Sequence, residues 1–409
     1  MTAATLRAAP AAPDAESDVR VTVARTMPEA RALVAAWRTL QGSNVITDPD
    51  YYFRVLEVSP RVRHPYLVLV ERDGRPELMI VGRVEDLELP CRLGYKTVYE
   101  PVLRTLTVVY GGFLGDAVEE SAELLLGELR AALDRGEADL LHLPHLRVGS
   151  RLYEVARTRP SWLCRSHATD EKPHWRLHLA GSHDEFVSSL SARTREGVRR
   201  AARRLEREYG SELEVAVFDD RASLERLLAD VEEVAAKTYQ RGLGKGLGAG
   251  DLQRSVTETW IDRGWFRAWV LYLRGRPVAF WHGLAYRDTF RTGIAGYDPA
   301  LAKLNVGTYL LMRTIADLCA DPAIRIVDYG YGDAEYKRRF GDESWVEDDV
   351  VVYAGRLRPV FVNLLRSSLL HVNAFAKRLA RRAGVYGRVK RAWRRRLSST
   401  AAADGDAAS

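Results

Sequence analysis

The chain has 409 residues, 46% hydrophobic and 28% charged, which suits a soluble protein of two ordinary domains. Cys91, Cys164 and Cys319 lie far apart, in no CxxC pair and with no histidine at ligand spacing, which argues against a disulfide framework or a structural zinc site. No secretory signal follows Met1 and no run approaches the roughly 20 apolar residues of a spanning helix, so a cytoplasmic location is expected. The net charge of +6 is uneven: residues 356–409 carry 13 Lys or Arg against Asp404 and Asp406, leaving a mildly acidic body and a basic tail.

Residues 1–18 are rich in Ala, Pro and Asp and read as a disordered leader. A first domain is expected over 19–180. It opens on a helix at about 28–40, apolar at Ala30, Leu33, Val34 and Trp37. Strands follow at Tyr66–Val70 and Leu78–Val84, joined through Asp73-Gly74, a hairpin signal. A strand at Leu106–Tyr110 enters Gly111-Gly112. Asp116 is then expected to cap a helix with Val118, Leu125, Leu126, Leu129 and Leu133 at helical spacing, ended by Gly136. Ala138–Leu143 closes the series as a short strand.

Ser182–Tyr209 reads as a helical stretch that starts at a capping box of Ser182 and Glu185. Phe186, Val187, Leu190, Val198 and Leu205 form its apolar stripe. Arg193, Arg195, Arg199, Arg200, Arg203, Arg204 and Arg207 cover the rest, either as a solvated face or as arginines offered to phosphates. A second domain is expected over 181–355 and repeats the order of the first. It has a helix at about 222–238, strands Phe266–Leu273 and Val278–Ala285 around Gly275-Arg276-Pro277, a strand Thr289–Ala295, a helix at about 307–320, and strands Ile324–Tyr329 and Asp348–Tyr353. The segments 67–82 and 269–283 share a strand–turn–strand layout and Gly-Arg-Pro, which favours a duplicated fold.

Two loops of the second half concentrate chemistry. Tyr297-Asp298 leads into Asn305-Val306-Gly307-Thr308, where Asn305 can cap the next helix and its first-turn amides can face an anion. The stretch from Asp328 through Gly330, Gly332, Asp333, Tyr336 and Lys337 follows an apolar strand, at the edge where open α/β folds gather ligands. A carboxylate there can take a proton from an amine, a tyrosine can protonate a leaving group and a lysine can hold an anion. As the bland alternative, the glycines serve a turn and Asp333 an ordinary helix cap. His282, alone on a strand, reads more readily as a packed residue than as a base, and the other histidines do not cluster. No GxSxG, P-loop or GxGxxG occurs.

These residues resemble the bacterial GNAT-like domain of the BioF2-like or cellulose-biosynthesis acetyltransferase type, related to the Fem-type aminoacyl transferases. The likeness rests on Tyr297-Asp298, the Asn305-Val306-Gly307 helix entry, Asp328 to Asp333 with Tyr336-Lys337, and the basic helix from Leu190 to Arg204. It covers about residues 180–355, and the first half is compatible with a degenerate copy. The resemblance implies an α/β (α+β) fold of two tandem domains, each a mixed, mainly antiparallel sheet flanked by helices. It also implies acyl transfer from acetyl-CoA or another acyl-CoA to an amine or hydroxyl, without a metal. The family's donor phosphates would fall on Asn305, Val306, Gly307, Thr308 and Lys337. Asp333, Asp328 and Tyr336 would be catalytic, and Tyr297, Asp298, His282 and Arg200 would meet the acceptor, a small molecule or glycan precursor. Ala302 to Gly307 matches the usual pyrophosphate signature only at its last position, so an aminoacyl-tRNA donor and a non-catalytic binding protein remain as alternatives.

The tail at 361–397 has apolar residues at helical spacing and ends in Lys390-Arg391-Ala392-Trp393-Arg394-Arg395-Arg396. It suits an anionic membrane surface, RNA, or a docking helix with a solvated end. Residues 400–409 read as a frayed end.

Overall fold

A computed structural model describes residues 18–94, 96–237 and 251–382. The leader up to residue 17 and the tail beyond 382, with the Lys390–Arg396 run, lie outside the described residues.

The first run of elements is β1 (Val19–Ala24), α1 (Met27–Ala32), α2 (Val34–Leu40), α3 (Pro49–Val58), β2 (Val62–Arg72), β3 (Arg75–Glu88), β4 (Cys91–Leu93), β5 (Lys96–Tyr99), β6 (Val102–Leu114), α4 (Ala122–Asp134), β7 (Leu140–Arg147) and α5 (Arg151–Thr158). The second is β8 (Lys172–His178), α6 (His183–Ser189), α7 (Ala192–Tyr209), β9 (Leu213–Phe218), α8 (Leu224–Ala236), α9 (Asp251–Asp262), β10 (Phe266–Leu273), β11 (Arg276–Tyr286), β12 (Thr289–Tyr297), α10 (Val306–Ala320), β13 (Ile326–Tyr331), α11 (Glu335–Phe340), β14 (Glu343–Tyr353) and α12 (Leu357–Arg382).

Both hairpins expected from the sequence form, and by the same turn. Asp73 and Gly74 have φ of 51° and 73°, and Arg274 and Gly275 have 53° and 71°. Two consecutive left-handed residues make the primed turn whose twist matches paired strands. Other elements differ from expectation. The helix at 28–40 is two helices meeting at Leu33. Asp116 caps nothing, because α4 starts only at Ala122, after Ser121. The basic segment breaks at Leu190: Ser182 accepts from the Glu185 amide to start α6, and Ser191 accepts from the Thr194 amide to start α7.

Twelve strands form one sheet in the order β1-β2-β3-β6-β7-β14-β8-β13-β12-β11-β10-β9. Read inward from either edge, the pairings match: antiparallel, antiparallel, antiparallel, parallel, antiparallel. The order therefore has a two-fold symmetry whose centre is the antiparallel β14·β8 pair. The two central strands have changed places. After α5 the chain sends β8 to pair with β13, and after α11 it sends β14 back to pair with β7.

Helices cover both faces, so central strands such as β2 and β11 are near-continuous apolar runs rather than alternating ones. One apolar cluster joins α4 and α5 to the first half of the sheet, and another joins α1 to α3 to its opposite face. In the second half α6, α7 and α10 cover one face, and α8 and α9 the other. The halves are also held by helix contact: Tyr51 of α3 stacks on Trp260 of α9 at 5.9 Å, and the Tyr286 hydroxyl donates to Asp48 at 2.8 Å.

Candidate active site

In each half the parallel strands part company almost at once. β6 and β7 pair only through Thr105–Thr107 and Leu140–His142, and β12 and β13 only through Thr289–Arg291 and Ile326–Asp328. The two openings are filled differently. In the second half, Tyr336 packs edge-on against Trp281 at 5.2 Å and Tyr329 at 5.7 Å, within the core cluster under α10. In the first half the opening is a cleft of about 980 Å³, walled by β6, β7 and the start of α5 and floored by Asp328, Glu347 and Arg176.

The floor lies at the centre of the sheet's symmetry. His174 on β8 is wholly buried between two carboxylates: Nε2 is 2.7 Å from Asp328 and Nδ1 is 3.1 Å from Glu347. Trp345 stacks on the imidazole at 4.4 Å, and its indole N–H donates to Glu347 Oε1 at 2.8 Å. The Tyr110 hydroxyl reaches His174 Nδ1 at 3.1 Å and Glu347 Oε1 at 3.4 Å. Arg291 lies over the Tyr110 ring at 4.6 Å and 3.5 Å from Asp328 Oδ2.

Burial alone would lower the His174 pKa, but hydrogen bonds to Asp328 and Glu347 raise it above the usual histidine value. Burial would raise Asp328, yet the His174 hydrogen bond and the Arg291 charge hold it at about 2. His174 thus bridges two carboxylates at the foot of the cleft, with the Arg291 and Arg176 guanidiniums beside them.

Four buried polar atoms of residues lining this cleft have no hydrogen-bond partner: Glu347 Oε2, His145 Nδ1, Arg176 Nε and Gln41 Oε1. Glu347 is only 3% exposed, so an orphaned oxygen there is a destabilising arrangement that calls for a ligand. His145 Nδ1 is 3.9 Å from it. His145 also has φ of 56°, left-handed and strained for a non-glycine residue, and is pinned by donation from its amide to Asp349 at 2.9 Å. Burial lowers the His145 pKa, opposed by Asp349 and Glu347, so its ring is neutral at pH 7.

Of the residues singled out in the sequence, the structure brings Asp328 alone into this cleft. Asp333 is exposed and paired with Arg338 at 3.3 Å. Tyr336 is in the aromatic packing just described, and burial pushes its phenol to about 12, too weak an acid for a thiolate leaving group. Lys337 spends its ammonium on the Gly330 and Tyr331 carbonyls, both at 3.0 Å, and burial lowers it to about 8. It is thus a clamp on its own loop rather than an anion holder.

Asn305 makes no side-chain cap; it is left-handed, φ 57°, where asparagine is tolerated. Val306 is in the core, and Thr308 is on the first turn of α10. The Tyr297 ring lies over Gly307, so close that a Cβ there would sit 3.1 Å from it. That ring covers the helix entry expected to receive a pyrophosphate. Asp298 caps the short turn at 299–304 by accepting from the Ala300 amide and pairs with Lys237 at 3.4 Å. His282 is buried, accepts from the Ile294 amide at 3.0 Å and is held by burial at about 4, a structural role. Arg200 is exposed on α7, 3.8 Å from Glu196.

The sequence reading missed His174, Glu347, His145, Tyr110 and Trp345. One signal was present: Glu347-Asp348-Asp349 sets three acids in a row inside a strand, where acids are depleted. The histidines that do not cluster along the chain do cluster in space, with Tyr110 5.2 Å from His145 and 6.1 Å from His174.

Comparison with known proteins gives a family model described as an acetyltransferase (GNAT) domain, matching residues 192–338. No curated protein matches the chain. Among solved structures, FemX is similar with a TM-score of 0.54 at 10% identity, over 82% of this chain and 98% of that one. A tandem GNAT protein from the clavulanic acid biosynthesis pathway gives 0.49 at 11%, over 83% and 100%, and L-PGS from Bacillus licheniformis 0.45 at 14%, over 79% and 97%. At such identities the likeness to FemX is one of fold.

Proposed function

We propose, from the match of residues 192–338 to a GNAT acetyltransferase domain and the likeness in fold to FemX, that the protein transfers an acyl group to an amine or hydroxyl of an acceptor held in the first-half cleft. The observation that carries this reading is the orphaned Glu347 Oε2 on the cleft floor. As the acceptor's nitrogen or oxygen bonds to the acyl carbon, its proton passes to Oε2. The acyl carbon's bond to the donor's ester oxygen or thioester sulfur then breaks, and that departing atom takes the proton back from Oε2. Meanwhile Oε1 stays fixed by donors from Trp345 and Tyr110 and by contact with His174. His174 holds the carboxylate in orientation. Tyr110, its phenol raised by burial, positions Glu347 rather than giving up a proton. Glu77, Asp116 and Glu119 on the cleft wall favour a cationic acceptor such as a primary amine.

For the donor, two helix entries are available and neither suits a pyrophosphate. Tyr297 lies over Gly307 in the second half, and Asp116 and Glu119 flank the approach to α4 in the first. This favours an aminoacyl ester on tRNA over acyl-CoA, and the exposed Arg193, Arg199, Arg200, Arg203 and Arg207 of α7 offer a phosphate-binding face for it.

The test is transfer from aminoacyl-tRNA and from acetyl-CoA to a panel of primary amines, by wild type and Glu347→Gln. Transfer by wild type is expected from the tRNA ester, with the variant slower by about 10²–10⁴-fold in kcat. Undiminished turnover by Glu347→Gln would remove the proposed base, and transfer from acetyl-CoA alone would reverse the donor assignment.

A further inference from the structure

Helix α12 presents its apolar residues outward. Leu357 is 94% exposed and Phe375 69%, with Phe361 and Val372 also exposed. Positions 357, 361, 372 and 375 fall on one face at 3.6 residues per turn. The opposite face is the buried one: Val362, Asn363 and Ser367. Two asparagines lock this orientation. Asn363 donates to the Leu163 and Arg165 carbonyls at 2.9 Å. Asn373 donates to the Arg92 carbonyl at 2.8 Å and accepts from the Gly94 amide at 2.7 Å. The second pair ties α12 to the β4–β5 hairpin, which exposes Leu93 and Val98. An outward apolar stripe beside an apolar hairpin tip is a surface of the kind that marks an interaction site.

Charge decides what covers it. Arg92, Lys96, Arg358 and Arg378 are exposed around the stripe. From Lys377 to Arg396 the sequence has ten Lys or Arg and no Asp or Glu. A second copy meeting this face across a two-fold axis would set its cations against their own equivalents. No helix among the described residues is long and apolar enough to cross a membrane.

We propose that α12 and the β4–β5 hairpin form one docking surface for an anionic lipid bilayer. The outward stripe enters the interface and the cations meet lipid phosphates. This placement does not depend on the chemistry of the cleft.

The experiment is co-sedimentation of the full chain with vesicles of phosphatidylglycerol and phosphatidylcholine, and with vesicles of phosphatidylcholine alone. Binding is expected to the anionic vesicles and to weaken with salt. The Phe361→Ser/Val372→Ser/Phe375→Ser variant is expected to lose binding by about tenfold or more, since these residues supply the apolar contact. Arg358→Gln and Arg378→Gln are each expected to cost about fivefold on anionic vesicles only. All the substituted side chains are exposed, and unchanged near-ultraviolet circular dichroism verifies the fold. No binding by wild type, equal binding to both vesicle types, or retention by the serine variant overturns the proposal. So does a dimer in sedimentation velocity that the serine variant converts to monomer.

Discussion

Glu347 and His282 are both buried polar groups with one atom hydrogen-bonded and the other not, yet their consequences differ. Glu347 belongs to the lining of the cleft, so if it serves as the proposed base its loss should appear in turnover rather than in stability. His282 is sealed in the sheet and stays neutral down to about pH 4, whereas an unfolded histidine titrates near 6.5. Between those values the unfolded chain binds the extra proton, so stability falls as pH drops from about 6.5 to 4, by roughly 3 kcal/mol from this group. Asp328 adds a further loss lower down, as pH falls from about 4 toward 2 and its carboxylate is protonated. His174 acts in the opposite sense. Its raised pKa stabilises the fold below about 6.5, and that contribution fades as pH rises through its folded value. Urea midpoints at pH 7 and pH 4.5 are therefore expected to differ less in His282→Gln than in wild type, and an equal difference would refute the assignment. The packed setting of His282 on its strand was legible in the sequence, but the environments of His174 and Glu347 were not. His174 and Glu347 are 173 positions apart and meet only because β8 and β14 do.

At the level of elements, the hairpins were the most legible, because Asp73-Gly74 and Arg274-Gly275 carry their turn chemistry within two residues. The irregular strands were least so. The β11·β12 ladder shifts register between Trp281 and Gly283, and His282 occupies the space over Gly293. A Cβ at Gly293 would lie 2.3 Å from the His282 ring, so Gly293→Ala must drive the ring away from the Ile294 amide. The expected loss is about 1–3 kcal/mol, read as a lower urea midpoint at unchanged slope. The same kind of information was missing for the site itself. A left-handed histidine at 145 and a tyrosine ring over Gly307 are properties of backbone conformation and packing, which residue type alone does not announce.

For the whole molecule, the duplicated order of elements was readable from 67–82 and 269–283, but the exchange of the two central strands was not. Nothing local distinguishes a strand that pairs with its own half from one that crosses over. The exchange makes the two halves one structural unit: without β14, β7 loses its neighbour and the cleft loses Glu347. A chain ending at residue 342 is accordingly expected to lose cooperative unfolding and protease resistance in both halves. A truncated chain that keeps a sharp transition would show that the halves are independent. The proposed active centre is likewise shared, with Tyr110 and His145 from one end of the chain and Asp328 and Glu347 from the other.

That crossover also sets a clock on biosynthesis. When β7 leaves the ribosome, the strand that will cover its edge is still about 200 residues from being made. At ribosomal speeds of about 5–20 residues per second this is a wait of roughly 10–40 s. Through that interval the nascent first half carries an open, apolar strand edge, the feature that chaperones shield and that aggregation exploits.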